Sequence, residues 1–349
     1  MKNAVVYFLA LLIVTTPFII IPGCTKSTNS DDDLVGNWLY SMDARGAARS
    51  EAVSFTIGDY VYVGTGTSEN NKWYNNFYKF SLQDNSWTDV APLPGVARSS
   101  AVAFAVNGMG YVGTGYDGRN YLNDMWRYNP GTNSWDTMAP FGGQVRSEAV
   151  AFVINGKGYI ATGFNDDETY LGDLWEYTPS NNLMDANAWK EKASLAGRRR
   201  RSAVAWVADN KAYICSGYSG SALSDLLVYD PATNQWTTKR KLTNDSDESY
   251  DDDYTSIIRY NAVAFMLNNK AYLATGENGS LLSTTWEYDN ANDQWTQKTN
   301  FGGAARTGAV GFTLNNRGFV MLGRSGSQSY LEMYEFQPDA EDNDDDNGY

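Results

Sequence analysis

Six arginines, Arg49, Arg98, Arg146, Arg200, Arg259 and Arg306, are each followed three residues later by Ala-Val, and this recurrence constrains the fold more than any other feature of the chain. In every copy a Tyr or Phe stands 13 residues after the arginine (Tyr62, Tyr111, Tyr159, Tyr213, Tyr272, Phe319) and a glycine 17 residues after it (Gly66, Gly115, Gly163, Gly217, Gly276, Gly323). Fixed offsets over so many copies mean one small unit repeated in space, each copy burying its apolar face on its neighbours.

Within a copy the pattern is that of strands. Turn pairs such as Asn107-Gly108, Asn155-Gly156 and Asn268-Asn269 separate two apolar runs, as a hairpin with positive φ requires. A third strand carries aromatic pairs two residues apart (Tyr78/Phe80, Trp126/Tyr128, Trp175/Tyr177, Trp286/Tyr288, Tyr334/Phe336, with Leu227/Tyr229 a weaker copy), so each pair lies on one face. A fourth strand carries Trp87, Trp135, Trp189, Trp236 or Trp295, each able to bury roughly 200 Å² between neighbouring sheets. The next arginine comes 11 residues after the tryptophan, except after Trp236, where twelve extra residues rich in Asp intervene. The sixth copy has no tryptophan, and Trp38, 11 residues before Arg49, supplies it. Residues 35–42 are therefore expected to complete the last sheet, which closes a ring and removes both sheet edges.

These landmarks resemble the kelch repeat over residues 34–337: the arginine, a Tyr-Val second strand ending in small residues, an aromatic third strand and a fourth-strand tryptophan. The resemblance implies an all-β, six-bladed β-propeller whose last blade is closed by an N-terminal strand. Where kelch repeats usually carry Gly-Gly after the second strand, Gly64-Thr65-Gly66, Ala161-Thr162-Gly163 or Cys215-Ser216-Gly217 stands here, and only the final glycine persists.

Charge points away from nucleic acid. Fifteen of the 41 acids lie in Asp31–Asp33, Asp245–Asp253 and Asp339–Asp346, leaving 26 against 27 Lys and Arg, so no basic groove is implied. The N-terminus carries Lys2 and an apolar run from Ala4 to Ile21, ending at Ile21-Pro22-Gly23-Cys24. That junction resembles the lipobox of bacterial lipoproteins, which implies a signal peptide over residues 1–23, lipidation at Cys24 and a tether over residues 24–33. The other reading, an uncleaved anchor helix, is opposed by Pro17 and Pro22. Thr25 after the cysteine resembles outer-membrane sorting, so the chain is expected on an envelope membrane, at the outer membrane or the periplasmic face. Residues 338–349 read as an acidic disordered tail, and Cys215, the one other cysteine, as a buried small-residue site.

In a four-stranded meander the loop between strands two and three shares a face with the loop entering the next blade, which carries the arginine. One mouth is thus expected to gather Arg49, Arg98, Arg146, Arg200, Arg259 and Arg306 with loop residues such as Trp73, Tyr121 and Tyr170, and these are the candidate ligand-binding residues. Each arginine has a second reading, as a frame residue bonding carbonyls or an acid at a blade boundary. Two residues further on the position varies, as Glu51, Ser100, Glu148, Ser202, Asn261 and Gly308, and a specific site is best written where a shared frame leaves freedom. Glu51 and Glu148 are the weak catalytic candidates there, the other reading being that they neutralise neighbouring arginines. The run Arg198–Arg201 reads as a solvated loop.

The chain has no histidine, which removes Ser-His-Asp, Cys-His and histidine-ligated metal centres. Galactose oxidases also contain kelch repeats, but their copper is ligated through histidine, so that chemistry is not expected here; no metal or cofactor is. Two function classes remain. One is a monomeric, noncatalytic module that binds a glycan or an envelope protein while anchored to a membrane through lipid; the other is a metal-free sugar enzyme resembling the exported kelch sialic acid mutarotases.

Overall fold

The structure is a computed structural model that describes Met1 and residues 34–343. The apolar N-terminal run, Cys24, the tether and residues 344–349 lie outside the described residues. Six four-stranded antiparallel sheets are arranged as the blades of one propeller. Blade 1 is built from Val53–Ile57, Tyr60–Gly64, Phe77–Ser81 and Ser86–Val90, each strand pairing with the next in the chain, and blades 2 to 5 repeat that meander. Blade 6 takes three strands from Val310–Leu314, Arg317–Met321 and Glu332–Gln337 and its fourth from Asn37–Asp43. Trp38 there faces Phe336 and Tyr40 faces Tyr334, with a register shift between Tyr40 and Met42.

The alternation of the first strands explains the packing. Val53 and Phe55, Val102 and Phe104, and their counterparts point between blades and are buried. The residues between them, Ala52/Ser54, Ala101/Ala103, Ala149/Ala151, Ala203/Ala205, Ala262/Ala264 and Ala309/Gly311, line a narrow axial channel of about 240 Å³. Six strands converge on one axis, so only small side chains fit there. Trp38 is 1% exposed, packed on Phe336 and Phe301 at 4.7 and 4.9 Å between ring centres, with its indole N–H on Thr285 Oγ1 at 3.2 Å. It joins blade 6 to blade 5 and so holds the closing strand in place.

Two circular sets of backbone hydrogen bonds join the blades. The N–H of each repeat glycine reaches the carbonyl of the next blade's arginine, from Gly66 to Arg98 at 2.7 Å round to Gly323 and Arg49 at 2.9 Å. Gly115 shows why the residue is glycine: its φ is +99°, and a Cβ would stand 2.7 Å from the carbonyl oxygen of Ser99. The second set runs through the variable positions described below.

One expectation is refined. Residues 338–340 pack back on the ring, with Pro338 O accepting from Lys298 Nζ at 3.0 Å and Ala340 O from Gly36 N at 2.9 Å, so the start of the acidic tail is ordered. The Asp-rich insertion folds on itself: the buried Asp251 carboxylate accepts from the N–H groups of Asp245 and Ser246 at 3.0 Å each, while Tyr254 is buried against Trp286. Cys215 is fully buried, and burial pushes its thiol up to about 12.

Candidate functional site

The six arginines form a ring beneath the mouth and do not line it. All are 0 to 2% exposed. In each, Nε donates to the carbonyl two residues back and Nη1 to the carbonyl sixteen residues on, as in Arg146 to Gln144 O at 3.1 Å and Thr162 O at 2.9 Å. In blades 2 to 4 the remaining donors meet an aspartate head-on. Arg98 takes Asp124, Arg146 takes Asp173 and Arg200 takes Asp225, at 2.5 to 2.8 Å. Blades 1, 5 and 6 substitute Asn76, Thr284 and Glu332. The fork geometry is therefore used on the frame itself. It clamps a residue in left-handed conformation, Thr65, Thr114, Thr162, Ser216, Thr275 or Leu322, at φ between 54 and 65°. The expectation that these guanidiniums meet a ligand is corrected on this geometry: the donors are pointed inward because a buried cation without acceptors would cost more than the fold can offset.

The variable positions do stand at the mouth. Glu51, Ser100, Glu148, Ser202, Asn261 and Gly308 all have φ between 51 and 62° and ring a hollow of about 150 Å³ at the channel entrance. Each N–H donates to the carbonyl of the counterpart one blade back, from Ser100 to Glu51 at 2.9 Å round to Glu51 and Gly308 at 2.7 Å, so a circle of six bonds surrounds the axis. This is the second circular set, and it fixes six side-chain origins around one point.

Those side chains couple across blades. Ser100 Oγ donates to Glu51 Oε2 at 2.7 Å, and Ser202 Oγ donates to Glu148 Oε2. Arg201 pairs with Glu148 at 2.8 Å, and Arg324 lies 3.9 Å from Glu51. Burial raises the Glu148 carboxyl above its ordinary range, and this outweighs the Arg201 pair and the Ser202 bond. Glu277 is tied to this ring, accepting from Thr307 Oγ1 at 2.8 Å and Asn261 Nδ2 at 3.3 Å.

Above this floor aromatic rings follow one another from blade 1 to blade 5. Trp73, Tyr116, Tyr121, Phe164, Tyr170, Tyr218 and Tyr260 are consecutive neighbours at 5.0 to 6.5 Å between centres. Arg201 lies over Phe164 and Tyr218, at 5.0 and 5.4 Å. The structure places Trp73, Tyr121 and Tyr170 in this arc. It adds Tyr116, Phe164, Tyr218, Tyr260, Arg201, Arg324 and Glu277, which sequence reasoning passed over. A signal existed: these are the residues directly after the repeat arginine or the repeat glycine, and both positions vary between copies. The Arg198–Arg201 run is correspondingly not one solvated loop. Arg200 is frame, Arg201 serves the mouth, and Arg198 donates to Ser219 O at 2.6 Å. Among the described residues, no three His, Cys, Asp or Glu side chains are grouped to hold a metal ion.

Comparison with known proteins agrees with this architecture. The family model for the KLHDC2/KLHL20/DRC7 Kelch-repeats domain matches residues 37–192, and the Kelch motif matches residues 199–243. The solved structure of YjhT is similar with a TM-score of 0.70 at 18% identity, covering 83% of this chain and 95% of that one; a likeness at that identity concerns the fold. No curated protein matches the chain.

Proposed function

Because this chain is a kelch-repeat β-propeller protein, its frame is common property and its activity resides in what the frame displays; we propose that it is an exported binding module for a glycan, anchored to an envelope membrane by lipid on Cys24. The observation that carries the reading is the mouth itself: a floor of hydroxyls and carboxylates under an arc of aromatic rings. Aromatic faces suit the C–H face of a sugar ring, while Glu51, Glu148 and Glu277 accept from hydroxyls and Arg201 and Arg324 donate to ring and carboxylate oxygens. A hollow of about 150 Å³ fits a single terminal sugar better than the broad surface of a folded partner, which makes an envelope protein the lesser candidate. The anchor rests on the lipobox-like Gly23-Cys24 and the apolar run before it.

The test is a panel of neutral and sialylated sugars titrated against wild type and Arg201→Ala. A saturable complex weakened by about 1.5 to 3 kcal/mol in the variant supports the assignment, that being the usual range for a hydrogen bond to a charged group. A ligand mapped to the opposite face, near Asn107-Gly108 and Asn155-Gly156, or no sugar bound at all, would overturn it.

One observation favours a second reading, a metal-free sugar enzyme resembling the sialic acid mutarotases. A carboxyl held above its ordinary range by burial, as Glu148 is, is better fitted to take up and return a proton than an ordinary glutamate. Anomer exchange followed by NMR decides between them: exchange accelerated by wild type and abolished in Glu148→Gln assigns catalysis, and binding without acceleration assigns a module.

A further inference from the structure

A further cavity lies off the axis. It is an open groove of about 790 Å³ on the rim of blade 3, between the segment entering that blade, the loop joining its second and third strands, and the segment leaving for blade 4. It shares no lining residue with the axial mouth. Its size falls in the range of about 300–1,000 Å³ typical of small-ligand sites. We propose that this groove is a second ligand site, which takes a short neutral saccharide independently of the mouth.

The groove is organised before any ligand arrives. Its aromatic wall is Trp175, half-buried, whose indole N–H is held by Asp173 at 2.8 Å; Asp173 is in turn fixed by the frame arginine Arg146. The entering segment keeps that ring uncovered by being glycine, since a Cβ at Gly142 or Gly143 would come within 2.9 or 2.8 Å of the indole. Opposite, Asn165 is 1% exposed and ties the loop shut: its amide donates to Gln144 Oε1 at 2.8 Å and its oxygen accepts from Thr169 N and Oγ1 at 3.0 and 2.8 Å. A flat ring facing a pre-set polar wall is the geometry on which a pyranose is held.

The charges narrow the ligand class. Asp167, Glu191 and Arg199 line the groove, all exposed, and among the described residues none of the three side chains has a hydrogen-bond or ion-pair partner. Two free carboxylates against one guanidinium disfavour an anion. No cluster of three ligating side chains is present among the described residues, which disfavours a cation. What remains is a neutral ligand rich in hydroxyls, donating to Asp167 and Glu191 and accepting from Arg199.

The experiment uses the full chain and three neutral trisaccharides, maltotriose, cellotriose and chitotriose, read by saturation-transfer NMR and by titration. The expected result is that at least one binds, and that Arg199→Ala and Glu191→Gln each weaken it tenfold or more with Tm unchanged, since neither residue has an internal partner to lose. Arg201→Ala and Glu148→Gln at the mouth leave that affinity as it was. Absence of binding by all three overturns the inference. So does binding that persists in the groove variants, or binding that is lost in the mouth variants, which would assign the sugar to the axis and leave the proposed function standing.

Discussion

Replacing Arg146 with alanine removes a guanidinium that is 0% exposed and that holds Gln144 O, Thr162 O and both oxygens of Asp173 at 2.7 to 3.1 Å. The variant keeps the Asp173 carboxylate, 21% exposed, without its cation, and leaves the Thr162 carbonyl without a donor. Breaking a buried ion pair by removing one partner costs about 3–5 kcal/mol, and the partial exposure of Asp173 draws the value toward the lower end. At roughly 2–4 °C per kcal/mol, a loss of about 3 kcal/mol should lower Tm by roughly 6–12 °C. Arg49→Ala makes the internal control. Its side-chain partner is the neutral Asn76 and one of its nitrogens, Nη2, is buried without a hydrogen bond, so its loss strands no charge and should cost only about 1–3 kcal/mol. Calorimetry and urea unfolding of both variants measure the order. The pH dependence adds a second check. Burial opposes the charge on Asp173, but the bonds and charge of Arg146 outweigh it and hold the carboxyl below its ordinary range. That stability is present above the ordinary aspartate pKa and disappears as pH falls through the depressed one, so the gap between wild type and Arg146→Ala should narrow in acid. A variant with wild-type Tm that has lost affinity for a ligand at the mouth would refute the frame assignment and restore the arginine to the site.

Glu148 runs the other way: its carboxyl is raised by burial, so its ionisation costs stability as pH climbs from the ordinary glutamate range through the raised value, and Glu148→Gln should be relatively more stable at pH 7 than at pH 4 by denaturant titration. Trp38→Ala should destabilise by about 3–5 kcal/mol, because it empties the aromatic contact between blades 5 and 6, and deletion of residues 25–45 should expose an open sheet edge seen as aggregation in light scattering. A truncated chain that stays monomeric at full Tm would contradict closure by that strand. The proposed lipid anchor predicts that Cys24→Ala shifts the protein from the detergent phase to the aqueous phase and lowers its intact mass by the acyl groups, each buried methylene contributing about 0.8 kcal/mol of membrane affinity; equal partitioning and mass of the two forms would refute the anchor.

The fold was legible because its causes are local and repeated. Turn pairs set the hairpins, period-two aromatics set the third strand, and the missing tryptophan of the sixth copy matched by Trp38 at the start announced how the ring closes. Each of these depends on residues a few positions apart, and six copies let one reading check the others. The role of the arginines depended on contacts far along the chain. Whether Arg146 faces a ligand or the frame turns on Asp173, 27 residues later, and on a carbonyl turned inward by a left-handed Thr162, neither of which the arginine's own neighbourhood reveals. The mouth was half visible for the same reason. Variation at Glu51 and Glu148 marked the axis, but the aromatic arc from Trp73 to Tyr260 draws one or two rings from each of five repeats, and only the curvature of the closed ring places them side by side. The groove on blade 3 lay furthest from view, because a cavity is made by what three separate segments leave unfilled, and unfilled space is a property of tertiary packing alone.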